Sequence, residues 1–196
     1  TGLISELDYF IWEKACLQLR DWRRQGHPDL YLSVNISPRD FYYMDIYKVF
    51  TSLVQKHGFE AKNLHLEITE TAVMTDTKKV IRLVNKLRQY GFKVEMDDFG
   101  SGYSSLNMLK DIKMDTIKLD MGFLRKTKNN VRSMAIVRNV IALSKRLGME
   151  VVTEGVETKE QVEALREMGC DIFQGYYFAK PMSVWDYEEQ YIPALN

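Results

Sequence analysis

The chain has no excess of charge: 27 Lys and Arg balance 27 Asp and Glu in 196 residues. That neutrality gives no electrostatic basis for holding a DNA or RNA polymer or an anionic membrane surface. No apolar run is long enough to span a bilayer, and no signal-peptide pattern opens the chain. Only two cysteines occur, Cys16 and Cys170, far apart and in apolar surroundings. They form neither a disulfide framework nor a zinc site, and read as free thiols of a reducing, cytoplasmic compartment. With four prolines and no low-complexity stretch, nothing resembles a linker, so residues 1–196 are expected to form a single domain. Neither GxGxxG nor GxxxxGK[ST] follows the first strand candidate, which argues against a dinucleotide-binding or P-loop fold.

What is present is an alternation. Short apolar segments rich in β-branched residues occupy 30–35, 63–68, 92–97, 115–120, 149–154 and 170–175. Their length and apolar character predict strands buried on both faces. Between them lie amphipathic helices with readable ends. Ser37-Pro38 places a cap residue before a proline at a first helical position. Val80, Ile81, Val84 and Leu87 recur at helical spacing before Gly91, and a second helix stops at Gly148. Thr158 with Gln161 fits a capping box, and that helix stops at Gly169. Strand-helix units about thirty residues long imply a parallel α/β sheet, either doubly wound or closed as a barrel. Six strands, fewer than the eight of a TIM barrel, and an opening helix with no strand before it favour a TIM-like (β/α) barrel lacking its beginning.

Polar residues collect at the strand ends: Asn35, Glu67, Asp97 with Asp98, Lys118 with Asp120, Glu154 and Gln174. In a βα barrel these ends converge on one rim, where the active site lies. Each residue has an ordinary reading. Glu67 and Glu70 suit an exposed edge strand, Asp97-Asp98 a turn before Gly100, Lys118 with Asp120 a structural ion pair, and Glu154 with Glu157 a helix entry. Their common position is harder to explain that way. Carboxylates and a carboxamide without His or Cys suit magnesium, manganese or calcium. Adjacent aspartates suit two ions sharing one carboxylate, a device for phosphate-ester hydrolysis. The three histidines, His27, His57 and His65, show no partner spacing and read as structural. Tyr42, Tyr43, Tyr176 and Tyr177 read as core or rim packing.

In order and spacing, "SVNISP", "LHLEITET", "DDFGSGYSSL", "IKLD", "VVTEGVET" and "QGYYFAKPM" resemble the signature blocks of the EAL domain family of cyclic di-GMP phosphodiesterases. The resemblance implies a modified TIM barrel that opens cyclic di-GMP to linear pGpG with Mg2+ or Mn2+. It implies Asn35, Glu67 and Asp97 as ligands of a first metal, Asp97 bridging to a second held by Asp98, and Glu154 near the metals or acting as base. Lys118 would hold the attacking water, Glu157 and Gln174 would lie near the substrate's guanine and phosphate, and Glu70 would steady the loop after the double aspartate. That loop's place near the family's dimer interface implies a homodimer, and GGDEF or sensor domains are expected neighbours in the parent protein.

The chain departs from the family pattern mildly at Ser101, Thr153 and Met121, and seriously at its start. The first-strand Glu-Ala-Leu motif, with a glutamate metal ligand and a nearby substrate-binding arginine, is absent. Impaired hydrolysis is therefore expected. A catalytically inactive cyclic di-GMP receptor is the alternative, and an unrelated metal-dependent barrel acting on a phosphorylated metabolite is a third reading.

Overall fold

The computed structural model describes residues 3–100, 105–120 and 130–192, with side chains of 105–107 and 130 left aside. The predicted loop residues Ser101 and Gly102, and Met121, fall outside the described residues. Helix α1 (Leu3–Arg24) leads into β1 (Leu32–Ile36), α2 (Asp40–Tyr43), α3 (Ile46–His57) and β2 (Leu64–Thr69). Then come α4 (Glu70–Thr75), α5 (Thr77–Tyr90), β3 (Lys93–Phe99), α6 (Ser105–Asp111) and β4 (Thr116–Leu119). Helices α7 (Asn130–Arg146), α8 (Lys159–Glu167) and α9 (Val184–Tyr191) alternate with β5 (Glu150–Thr153) and β6 (Ile172–Phe173). Among the described residues, no helix is long and apolar enough to cross a membrane.

All neighbouring strands pair in parallel, and their spatial order is their chain order, β1 to β6. A doubly wound sheet reverses its order at a switch point. The unbroken progression is that of a βα-barrel wall, and it decides between the two architectures the sequence left open. Each strand divides its side chains by its period of two. On β2, Leu64, Leu66 and Ile68 are fully buried among apolar residues, while His65, Glu67 and Thr69 face the polar interior. The apolar layer joins α1, α3 and the entry to β3 through tilted and edge-on aromatics, with ring centroids 4.7 Å apart for Trp12 and Phe50 and 6.0 Å for Phe50 and Phe92. The Trp12 indole N–H also donates to the Asn35 carbonyl (2.9 Å), tying α1 to the end of β1.

Several helix ends match their sequence signals. Thr158 and Gln161 exchange backbone and side-chain hydrogen bonds as a capping box. Gly91 ends α5 in the left-handed conformation, φ 117°, which costs a residue without Cβ little. Ser37-Pro38 does not start a helix. The next helix begins at Asp40, whose buried carboxylate accepts from the Ser37 N–H and the Ser5 hydroxyl, 2.8 Å each. A carboxylate that reaches two donors outcompetes the hydroxyl expected to cap, and Ser37 Oγ is left buried without a partner.

The loops after β5 and β6 are locked together. Val156 N–H donates to the Gln174 carbonyl, and Tyr177 N–H to the Val156 carbonyl, 3.0 Å each. A Cβ on Gly175 would sit 2.2 Å from the Val156 carbonyl oxygen and 2.3 Å from its nitrogen. Gly175→Ala must therefore part the two loops. An expected cost of about 1–3 kcal/mol would lower the melting temperature by roughly 2–4 °C per kcal/mol, measurable by circular dichroism. An unchanged melting temperature would show that the loops yield freely.

Candidate metal centre

The site is built around one ammonium group. Lys118, inside β4 and 5% exposed, lies 2.8 Å from Glu67 on β2, 2.8 Å from Glu154 after β5 and 3.3 Å from Asp97 on β3. Carboxylates from three strands are thus drawn to one cation on a fourth. Glu67 is 8% exposed, so it is not on an exposed edge. Lys118 takes these three carboxylates as partners, beyond the Asp120 pairing weighed from sequence.

The double aspartate owes its geometry to a break in the ladder. The β3–β4 register shifts between Met96 and Phe99, and Asp98 adopts φ 54°, the left-handed region that Asp tolerates better than most residues. Carboxylate oxygens of Asp97, Asp98 and Glu154 consequently lie within 4.8 Å of one another. Glu70, at the start of α4 and 1% exposed, accepts the Gly100 N–H at 3.1 Å and so ties down the residue where the following loop begins.

The electrostatics are unbalanced. Burial opposes the charge on Lys118, but hydrogen bonds to Glu154 and Glu67 outweigh it and hold the ammonium well above the ordinary lysine range. The carboxyls shift the other way. Burial pushes Glu67 and Glu154 up, against Lys118, with Asp97 adding to both. Burial also raises Asp98, reinforced by Asp97 and Asp120. The directions agree once the charges are counted: one ammonium cannot neutralise Glu67, Asp97, Asp98 and Glu154 together. Among the described residues, four negative charges less one positive leave three uncompensated.

Such a site fits a divalent cation. Among the described residues, Asp97 Oδ1 is buried without a hydrogen-bond partner, its approach to Lys118 being an ion contact only. The donors are all oxygens, the set hard cations prefer. A cation bound here would satisfy the orphaned oxygen and cancel the surplus charge. Asn35 is exposed at the end of β1, in register with Glu67. Gln174 is exposed after β6, beside Tyr176, Lys180 and Tyr191 in a cavity of about 490 Å³. Glu157 is exposed at the entry to α8, its N–H donating to Gln161. Among the described residues, Lys118 pairs with none of these three. Tyr42, Tyr43, Tyr176 and Tyr177 are exposed, which removes the core reading for them.

Residues 1–181 match the EAL domain family. The chain belongs to the EAL domain family. It is 35% identical over 182 residues to the bifunctional diguanylate cyclase/cyclic di-GMP phosphodiesterase MucR of Pseudomonas aeruginosa, covering 93% of this chain and 27% of that protein. It is also 35% identical over 188 residues to the cyclic di-GMP phosphodiesterase NbdA of the same organism, covering 96% of this chain and 24% of NbdA. The chain thus spans about a quarter of the length of these relatives. Among solved structures, the MucR phosphodiesterase in complex with c-di-GMP superposes with a TM-score of 0.88 at 34% identity, over 95% of this chain and 75% of that one. An EAL domain protein of Listeria monocytogenes gives 0.80 at 34% identity, over 97% and 74%. These neighbours are EAL domains, whose TIM-like barrel is the architecture seen in the strand order. The letters Glu-Ala-Leu do occur, at Glu163–Leu165, but on α8: Glu163 pairs with Lys159 on the helix surface (3.5 Å) and Leu165 is buried. They are not a strand-borne ligand set.

Sequence reasoning missed a second polar group beneath the first. His65 Nδ1 lies 2.6 Å from Glu95, which also accepts from Ser33 at 3.3 Å. Ser33, His65 and Glu95 stand two positions before Asn35, Glu67 and Asp97 on the same strands. The period-two rule, applied inward from the rim, would have found them.

Two outcomes follow for the metal-free protein. Glu67, Asp98 and Glu154 have folded-state pKa values above their unfolded ones, so the folded state binds more protons between the two values. Their contribution is favourable below the unfolded carboxyl range and is lost as pH rises through the raised folded values. In EDTA, the melting temperature contribution of this site should fall as pH rises from about 4 toward neutrality, and Glu154→Gln should flatten that fall; calorimetric melts across pH test both. Lys118→Met strands the carboxylates and should cost about 3–5 kcal/mol in denaturant melts without metal, with Mn2+ restoring part of it. A metal-insensitive loss would contradict the site.

Proposed function

We propose that the domain hydrolyses cyclic di-GMP to linear pGpG at the Lys118 cluster, with Mg2+ or Mn2+ as cofactor. The observation that carries this reading is the surplus of negative charge, among the described residues, around Asp97, whose buried Oδ1 has no hydrogen-bond partner among them. Family membership and the likeness to a c-di-GMP complex support the choice of substrate. Asp97, Asp98, Glu67, Glu154 and Asn35 would hold a two-metal centre with Asp97 shared, and the bound cations would polarise the phosphate and acidify a water molecule.

The chain's own groups divide the remaining work. Lys118 stays protonated, so it orients the water and offsets charge on the phosphate but cannot accept a proton. Glu154, its carboxyl raised by burial, would take the proton as water oxygen attacks phosphorus. The phosphorus–O3′ bond breaks opposite, and the leaving oxygen is protonated from solvent. Glu157 and Gln174 would face the substrate's guanine and phosphate, and Glu70 would steady the loop beyond Gly100. The domain would work in the cytoplasm as a homodimer beside GGDEF or sensor domains of its parent.

The second reading is a catalytically inactive receptor that binds cyclic di-GMP without cutting it. A version carrying the parent's upstream residues should convert cyclic di-GMP to pGpG with Mn2+, faster than the chain alone, as read by chromatography. Asp98→Asn in that version should lower turnover by at least about tenfold. Tight calorimetric binding without pGpG in the extended protein would replace the enzyme with the receptor.

A further inference from the structure

The interior of the sheet carries two tiers of paired polar groups. In the upper tier, Lys118 gathers Glu67, Asp97 and Glu154. In the lower tier, Glu95, 5% exposed, receives His65 from β2 at 2.6 Å and Ser33 from β1 at 3.3 Å. The His65 ring is held flat by Tyr31, with centroids 4.2 Å apart and planes 11° from parallel. One carboxylate thus ties three strands together beside the proposed metal ligands.

The register makes this arrangement consequential. Glu95 pairs in register with Glu67 on the adjacent strand, so both carboxylates leave the sheet side by side on the same face. Yet they turn to different partners: Glu67 to Lys118, Glu95 to His65. A fifth carboxylate free at that position would compete for the one ammonium above it, and would add to a cluster already short of positive charge.

We propose that His65 is a positioning residue, which with Ser33 and Tyr31 keeps the Glu95 carboxylate in the lower tier and leaves Lys118 to Glu67, Asp97 and Glu154. The inference rests on the phosphodiesterase reading of the upper tier. It assigns His65 no contact with substrate or metal. Its effect passes through Glu95: without the imidazole, the carboxylate swings toward Lys118, the ammonium is shared differently, and Glu67 and Asp97 lose their places.

The test is Mn2+ affinity, measured by calorimetry and electron paramagnetic resonance on the whole chain with melting curves alongside. His65→Leu fills the ring's volume without a donor and should weaken Mn2+ binding about tenfold, within the range for groups that orient metal ligands. His65→Asn keeps a donor near the position of Nδ1 and should stay within about threefold of wild type. The double variant H65L/E95A removes the competing carboxylate as well and should also return to within about threefold. A purely structural His65 predicts the opposite for the double variant, which would be at least as impaired as H65L. Wild-type affinity in H65L, or no recovery in the double, overturns the proposal while leaving the metal site standing. Should H65L not fold, the double decides: folding with near-wild-type Mn2+ affinity supports the proposal, and weakened affinity overturns it. If wild type binds no Mn2+, or Asp98→Asn leaves its binding unchanged, the phosphodiesterase reading falls and this inference with it.

Discussion

A single ammonium group shared by three carboxylates inside a parallel sheet organises this molecule. Lys118 reaches Glu67, Asp97 and Glu154 from a position almost closed to water. Buried charges persist only when paired, and removing the hub would strand its partners. The same hub is insufficient. Among the described residues, one positive charge among four carboxylates explains why burial wins over pairing at Glu67 and Glu154, while the lysine itself is held firmly charged. An interior built this way is poised for a further cation.

The fold serves that interior through topology. Parallel strands in chain order bring residues about 120 positions apart, Asn35 to Glu154, to one end of the sheet. The apolar half of each strand pays for this by packing against the helices, so that the polar half can be concentrated. Where the regular ladder would have turned Asp98 away from Asp97, a register shift and a left-handed residue restore it to the cluster. Local strain is placed where the chemistry needs it.

Much of this was legible in the sequence, for physical reasons. The six strands announced themselves as apolar runs, and the caps at Thr158 and Gly91 as residues with few alternative uses. Asp97, Glu67, Lys118 and Glu154 were visible because each follows such a run. Other features were not legible. Ser37-Pro38 looked like a helix start because the reach of Asp40 depends on α1, a partner distant in sequence. The bulge at Asp98 has no composition of its own. His65 looked solitary because its partner, Glu95, lies on the next strand, thirty positions away. Pairings across a sheet are invisible until the register is known.

The central claim is that the Lys118 cluster is short of one or more divalent cations. The direct measurement is anomalous scattering from crystals soaked in Mn2+. The account predicts a peak bounded by Asp97, Asp98 and Glu154, with Lys118 withdrawn from at least one of its carboxylates. Full diffraction with no peak there, and with Lys118 still bonded to Glu67 and Glu154, would contradict it.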